Sequence, residues 1–133
     1  MPIQLEQILR LLLAAALSGI IGFQRERLGK PVGLRTHALI GLGAALFTIA
    51  GIFGFSNNTN LISAGIVTGV GFLGAGTILH RTGGVIEGLT TAATIWLVAA
   101  IGIASAVGMY VIAVAASAVT MGVLFLPHPQ SKP

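Results

Sequence analysis

Residues 65–79 read GIVTGVGFLGAGTIL, residues 80–88 read HRTGGVIEG, and residues 89–97 read LTTAATIWL. Two apolar segments dense in Gly, Ala and Thr are joined by a short polar turn. No charged residue lies between Leu61 and Leu79, and none between Leu89 and Leu126. Runs of this length match a bilayer core of about 30 Å, which a helix crosses in about 20 residues at about 1.5 Å rise. The glycines imply that such helices pack closely on one another. The chain reads as an all-α, polytopic integral membrane protein.

Composition agrees. Only 8% of the 133 residues are charged and mean hydropathy is +0.98, whereas a soluble domain carries about 25% charged residues. The net charge of +4 and the pI near 10.9 do not mark a nucleic-acid binder. Four of the seven Lys and Arg residues (Arg25, Arg27, Lys30 and Arg35) fall in one loop, where they act as a topology signal. The absence of cysteine excludes disulfides and thiolate metal sites. The N-terminus lacks a basic n-region, and Glu6 and Arg10 interrupt it, so residues 11–23 read as part of a retained span and not as a signal peptide.

Five spans are predicted, at about 5–23, 37–55, 61–79, 89–105 and 109–126, forming a single transmembrane domain over residues 1–133 with no C-terminal soluble domain. Asn57, Asn58, Thr59 and Asn60 make one turn, Gly83-Gly84 another and Gly108 a third, while Pro127 and Pro129 stop the last helix. The basic loop lies in the cytoplasm by the positive-inside bias. Arg81 and Lys132 return the third loop and the C-terminus there, and the N-terminus is external.

In the third span, Gly65, Gly69 and Gly76 share one face and Gly71 and Gly74 a roughly opposite one. A helix small on two sides is expected at the centre of the bundle. It serves packing, or it is broken and its freed carbonyls line a path. Two motifs here are decoys. The G-x-G-x-x-G of residues 69–74 lacks the soluble βαβ unit that a dinucleotide site needs, and residues 68–74, TGVGFLG, do not reproduce the potassium-filter TVGYG.

Spans two to five hold no acid. A mid-bilayer carboxylate costs about 2.5–3.5 kcal/mol and is usually kept for transport, so its absence weighs against a proton relay. Glu87 precedes the fourth helix, where its charge suits the helix dipole. Alternatively, Glu87, Thr90, Thr94 and Glu26 form a cytoplasmic rim that holds hydrated magnesium weakly, Thr90 and Thr94 sharing a face at i,i+4. Arg35 either snorkels to the headgroups or pairs with Glu26 or Glu87. Glu6 and Arg10, four apart, pair locally. Trp96 lies about 10 Å into its span and is expected to fill a gap opposite third-helix glycines or, alternatively, to line a pocket. His37, His80 and His128 sit at loop edges without metal-ligand spacing. With no hydrolase constellation visible, neither an enzyme nor a resident cofactor is expected.

Three blocks, Gly33-Leu34-Arg35-Thr36-His37, residues 69–76 (GVGFLGAG) and residues 88–96 (GLTTAATIW), carry a family resemblance. The chain resembles, over nearly its whole length, the transmembrane domain of the MgtC/SapB family. That family usually shows Gly-x-Glu-Arg after the first helix; here Gln24 takes the acid's place before Arg25. Many members also carry a soluble C-terminal domain similar to ACT regulators. The resemblance implies a bacterial inner-membrane protein associated with magnesium homeostasis and, in pathogens, with virulence and survival inside host cells.

The leading expectation is a non-enzymatic modulator of other membrane proteins or of ion balance. It acts through helix packing and its basic face, with Arg25, Arg35, Thr36, Gly69, Gly71, Gly74, Gly76 and Trp96 as the candidate residues. The alternative is a channel or transporter for a small cation such as magnesium, with Glu87, Thr90 and Thr94 at its mouth. Either fits a homo-oligomer in the lipid bilayer, most simply a twofold dimer.

Overall fold

The structure, a computed structural model, describes residues 2–55, 59–81 and 84–127. Within them the chain forms helices α1 (Ile3–Arg27), α2 (Leu34–Phe53), α3 (Thr59–Ala75), α4 (Leu89–Ala106) and α5 (Tyr110–Leu124). A two-stranded antiparallel ribbon, β1 (Leu79–Arg81) and β2 (Val85–Glu87), lies between α3 and α4. Among the described residues α1, α2 and α4 are long and apolar enough to cross a bilayer, and α3 and α5 are apolar helices of 17 and 15 residues. Asn57, Asn58, Gly83, His128, Pro129 and Lys132, to which the sequence assigns turns or topology, lie outside the described residues.

Local chemistry sets the helix ends. At Gly29 (φ +74°) α1 closes in a Schellman turn: the Lys30 N–H donates to the Arg25 carbonyl at 3.1 Å and the Gly29 N–H to that of Glu26 at 3.0 Å. The same motif recurs at Gly108 (φ +89°), where the Met109 N–H meets the Ala104 carbonyl at 2.9 Å and the Gly108 N–H that of Ser105 at 3.2 Å. This makes the α4–α5 connection short. Helix α3 ends at Ala75, not at the expected residue 79. Past Gly76 the Thr77 hydroxyl turns back to the Gly74 carbonyl at 2.7 Å, and the chain enters a ribbon with Leu79 opposite Glu87 and Arg81 opposite Val85. A glycine followed by two β-branched residues favours leaving the helix for an extended ladder.

Helices α1, α2 and α4 pack mutually, while α3 leans on α4 and α2, and α5 on α4 and α1. Their buried residues recur at helical spacing: Ala14, Ser18, Ile21 and Arg25 on α1; His37, Gly41, Ala45 and Thr48 on α2; Thr91, Ile95, Val98 and Gly102 on α4. Glycines set how closely the backbones approach. A Cβ on Gly22 would lie 2.7 Å from the His37 Cβ and 2.9 Å from the Leu34 Cα. Gly41 packs against Ser18, and Gly102 against the carbonyl of Gly41, both well inside the space a methyl group needs. Such contacts replace lipid with closely fitted backbone, which is what drives helix association in an apolar solvent. Buried hydroxyls of Thr48, Ser105 and Ser117 return to their own helices, on the carbonyls of Ala44 (2.8 Å), Ile101 (2.9 Å) and Ala113 (2.9 Å).

The third helix does not take the central place its glycines led us to expect. It buries only Ile66 and Gly74. Gly65, Gly69 and Gly71 have open space where a Cβ would stand, and Gly76 meets only carbonyls of its own helix end. Gly74 alone packs across, on Ala92. Small residues mark faces that permit close approach, and here the approach was made by other helices. Of the two roles expected for Trp96, the structure shows the second, at a pocket. It is 55% exposed and borders an apolar pocket of about 220 Å³ beside Ile66 and Val67, filling no gap against the glycines. The local Glu6–Arg10 pair is present and does more than expected. Arg10 also donates to the Tyr110 hydroxyl at 2.9 Å and to the Ala106 carbonyl at 2.7 Å. It thereby places a cation on the C-terminal end of α4, where the helix dipole favours one.

Candidate functional site

A buried polar network forms where the last turn of α1 meets the first turns of α2 and α4. Arg25 ends the buried stripe of α1 and is only 4% exposed. Its Nη2 donates to Thr91 Oγ1 at 3.1 Å, and its Nε is buried without an acceptor. His37, on the first turn of α2, is fully buried. Its Nδ1 lies 2.9 Å from the Gly33 carbonyl and its Nε2 2.9 Å from Thr94 Oγ1. A carbonyl only accepts, so Nδ1 carries a proton. The Thr94 hydroxyl also lies 2.9 Å from the Thr91 carbonyl. With one proton to give, it serves either that carbonyl or a neutral Nε2, and it is the pivot of the network.

Sequence spacing explains this convergence. Thr91 and Thr94, three apart, are both buried, whereas Thr90 is exposed. The pair that faces the core is therefore Thr91/Thr94 and not the expected Thr90/Thr94. Gly22 and Gly33 let α1 and α2 meet beside His37. On the rim, Glu26 Oε1 accepts the Leu34 N–H at 3.0 Å. It caps α2 with a charge that its dipole favours, and its carboxylate occupies the space a side chain on Gly33 would need.

Of the four residues expected to form a cation rim, Glu26 caps α2 and Thr94 bonds within the core, while Glu87 at the end of β2 and Thr90 in the first turn of α4 are exposed. Among the described residues no group of three or more His, Cys, Asp or Glu side chains is placed to hold a metal ion. Arg35 and Thr36 are exposed, and Glu26, one of the acids expected to pair with Arg35, is engaged with the Leu34 N–H. Sequence reading missed Thr91 and the burial of Arg25 and His37. The signal was there: extending α1 by one turn puts Arg25 in step with Ser18 and Ile21.

The ring of His37 is bonded at both nitrogens in a closely packed site. His37→Ala is expected to destabilise the protein by about 2–4 kcal/mol, combining a cavity with a broken polar network. Thr94→Val, which keeps the volume, should cost about half as much. Unfolding midpoints in detergent measure both, and equal midpoints for wild type and His37→Ala would show that the network holds nothing.

The sequence model described as the MgtC family matches residues 11–132. A protein of Escherichia coli (strain K12) named "Putative magnesium transporter YhiD" is 48% identical over 132 residues, covering 92% of this chain and 61% of its own. Protein SrpB of Synechococcus elongatus is 41% identical, covering 76% of this chain and 63% of its own. Protein MgtC of Salmonella typhimurium (strain 14028s) is 41% identical, covering 86% of this chain and 49% of its own. The chain therefore spans about half to three fifths of the length of these relatives. No solved structure matches.

Proposed function

Because this chain belongs to the MgtC family, we propose that it serves magnesium homeostasis as a non-enzymatic modulator of other membrane proteins or of ion balance, and not as a conduit for the ion. All five helices cross the bacterial inner membrane, α3 and α5 with the help of their flanking turns. The N-terminus is outside, and the α1–α2 loop is in the cytoplasm.

One observation carries the choice between modulator and conduit. The charge inside the α1–α2–α4 interface is the cation of Arg25, and the acids Glu6, Glu26 and Glu87 all lie outside that interface. A dication entering a low-dielectric core meets like charge there, and Coulomb energies at small separations in such a medium are several kcal/mol. A magnesium path uses carboxylates and retained waters, and this interior is closed by glycine on backbone. The transporter name carried by the Escherichia coli relative supports the link to magnesium while leaving the mechanism open.

Magnesium flux into sealed proteoliposomes of the purified protein tests the proposal, with Glu87→Gln as the paired control. Uptake no faster than in empty vesicles is expected for both proteins, each shown folded and inserted. Uptake by the wild type that Glu87→Gln abolishes would make the chain a transporter with its mouth at the start of α4.

A further inference from the structure

The α1–α2 connection and the helix turns that flank it carry Arg27, Lys30 and Arg35, all exposed. The nearby acid, Glu26, is engaged with the Leu34 N–H, and none of the three cations forms an ion pair among the described residues. Three large apolar side chains, Phe23, Leu28 and Leu34, are exposed in the same segment. The Arg27 guanidinium lies over the Phe23 ring, 5.8 Å from its centroid. Phe23 is one turn back along α1, so this cation is folded toward the body of the helix instead of reaching outward. A loop directed into water has no reason to hold leucines and an aromatic ring open beside its charges. A loop at headgroup level does, because cations there meet phosphates while apolar side chains meet the acyl boundary.

We propose that the α1–α2 loop is a docking surface for the phosphodiester headgroups of anionic phospholipids, with Arg27, Lys30 and Arg35 as its charged contacts and Phe23, Leu28 and Leu34 as its apolar seat. The loop is built to hold those cations in place. The Schellman turn at Gly29 fixes the exit from α1, and Glu26 fixes the entry to α2 through Leu34. Little ordering is left for binding to supply. Arg35 sits on the first turn of α2, where the dipole disfavours a cation unless an anion is shared. A headgroup phosphate provides that anion. The proposal rests on the membrane reading of the chain, but not on whether the chain conducts an ion.

The experiment uses the full chain purified in neutral detergent, so that the part these charges play in orienting membrane insertion does not enter. Added phosphatidylglycerol, phosphatidylcholine and inorganic phosphate are scored as retained adducts by native mass spectrometry. Wild type should retain phosphatidylglycerol and not phosphatidylcholine. The triple variant Arg27→Gln, Lys30→Gln, Arg35→Gln should lose roughly tenfold or more of that retention, and Arg27→Lys with Arg35→Lys should keep most of it. Melting should be unchanged in both, since the substituted side chains are exposed. Should the triple variant fold poorly, Lys30→Glu alone is expected to lower retention several-fold. Equal retention of the two lipids, unchanged retention in the triple variant, or displacement of the lipid by millimolar inorganic phosphate would each overturn the proposal. A chain that leaves membranes in alkaline carbonate without detergent would instead overturn the membrane reading itself.

Discussion

Gly102→Ala is expected to destabilise the folded protein by about 3 kcal/mol, near the upper end of what overpacking a close-fitted core costs. The added methyl group would meet the Gly41 carbonyl, which is backbone and cannot rotate away, with the Ala44 Cβ 3.1 Å distant on the other side. The strain should not stay local, because Gly41 is itself pressed against Ser18 of α1. One methyl group therefore separates all three core helices. Gly69→Ala is the contrasting case. Its Cβ enters open space on α3, and removing a mid-helix glycine stabilises by about 0.5–1 kcal/mol. Unfolding midpoints in one detergent compare the two directly. A Gly69→Ala that destabilises as much as Gly102→Ala would mean that α3 is packed on both faces after all.

Thr91→Val should lower stability by about 2–3 kcal/mol, although it removes a single hydroxyl and keeps the volume. The Arg25 guanidinium has its one described acceptor there and is only 4% exposed. A buried charge stripped of its partner carries its full desolvation penalty. Arg25→Met tests the sign of that argument. It removes the charge and fills similar space, so it should cost less than Thr91→Val, and adding it to that change should cost little more. The two substitutions are thus strongly non-additive. Additive losses, or an Arg25→Met that is the more damaging of the two, would show that the guanidinium earns its burial by contacts other than Thr91.

Much of this architecture is legible in the sequence, and the illegible part has a physical origin. The uncharged runs between Leu61 and Leu79 and between Leu89 and Leu126 disclose helices α3 to α5. They do not say which faces are inside. In a soluble helix polar residues mark the outer face, but lipid is as apolar as a protein core, so that contrast vanishes. Hence the glycines at 65, 69, 71, 74 and 76 point to α3 at the centre, while the closest approaches fall to Gly22, Gly41 and Gly102. The ribbon between α3 and α4 was hidden in a stretch read only as a turn, because three-residue strands are too short for alternation to register. Arg25 was hidden by its company: among four basic residues in eleven positions it reads as loop charge until α1 is extended to Arg27.

The claim on which the rest depends is that the α1–α2–α4 interior is closed to water and ions. The chain has no cysteine, so single cysteines at Ala45, Val98 and Ser105, all fully buried, report on it without background. Each would be treated in liposomes with a charged, membrane-impermeant methanethiosulfonate reagent, with Lys30→Cys as the exposed control. The account predicts rapid labelling of the control, and labelling of the three interior sites only after denaturation. Labelling of Ala45→Cys, Val98→Cys and Ser105→Cys in the folded protein at rates near that of the control would reveal a water-filled route through the core and contradict it.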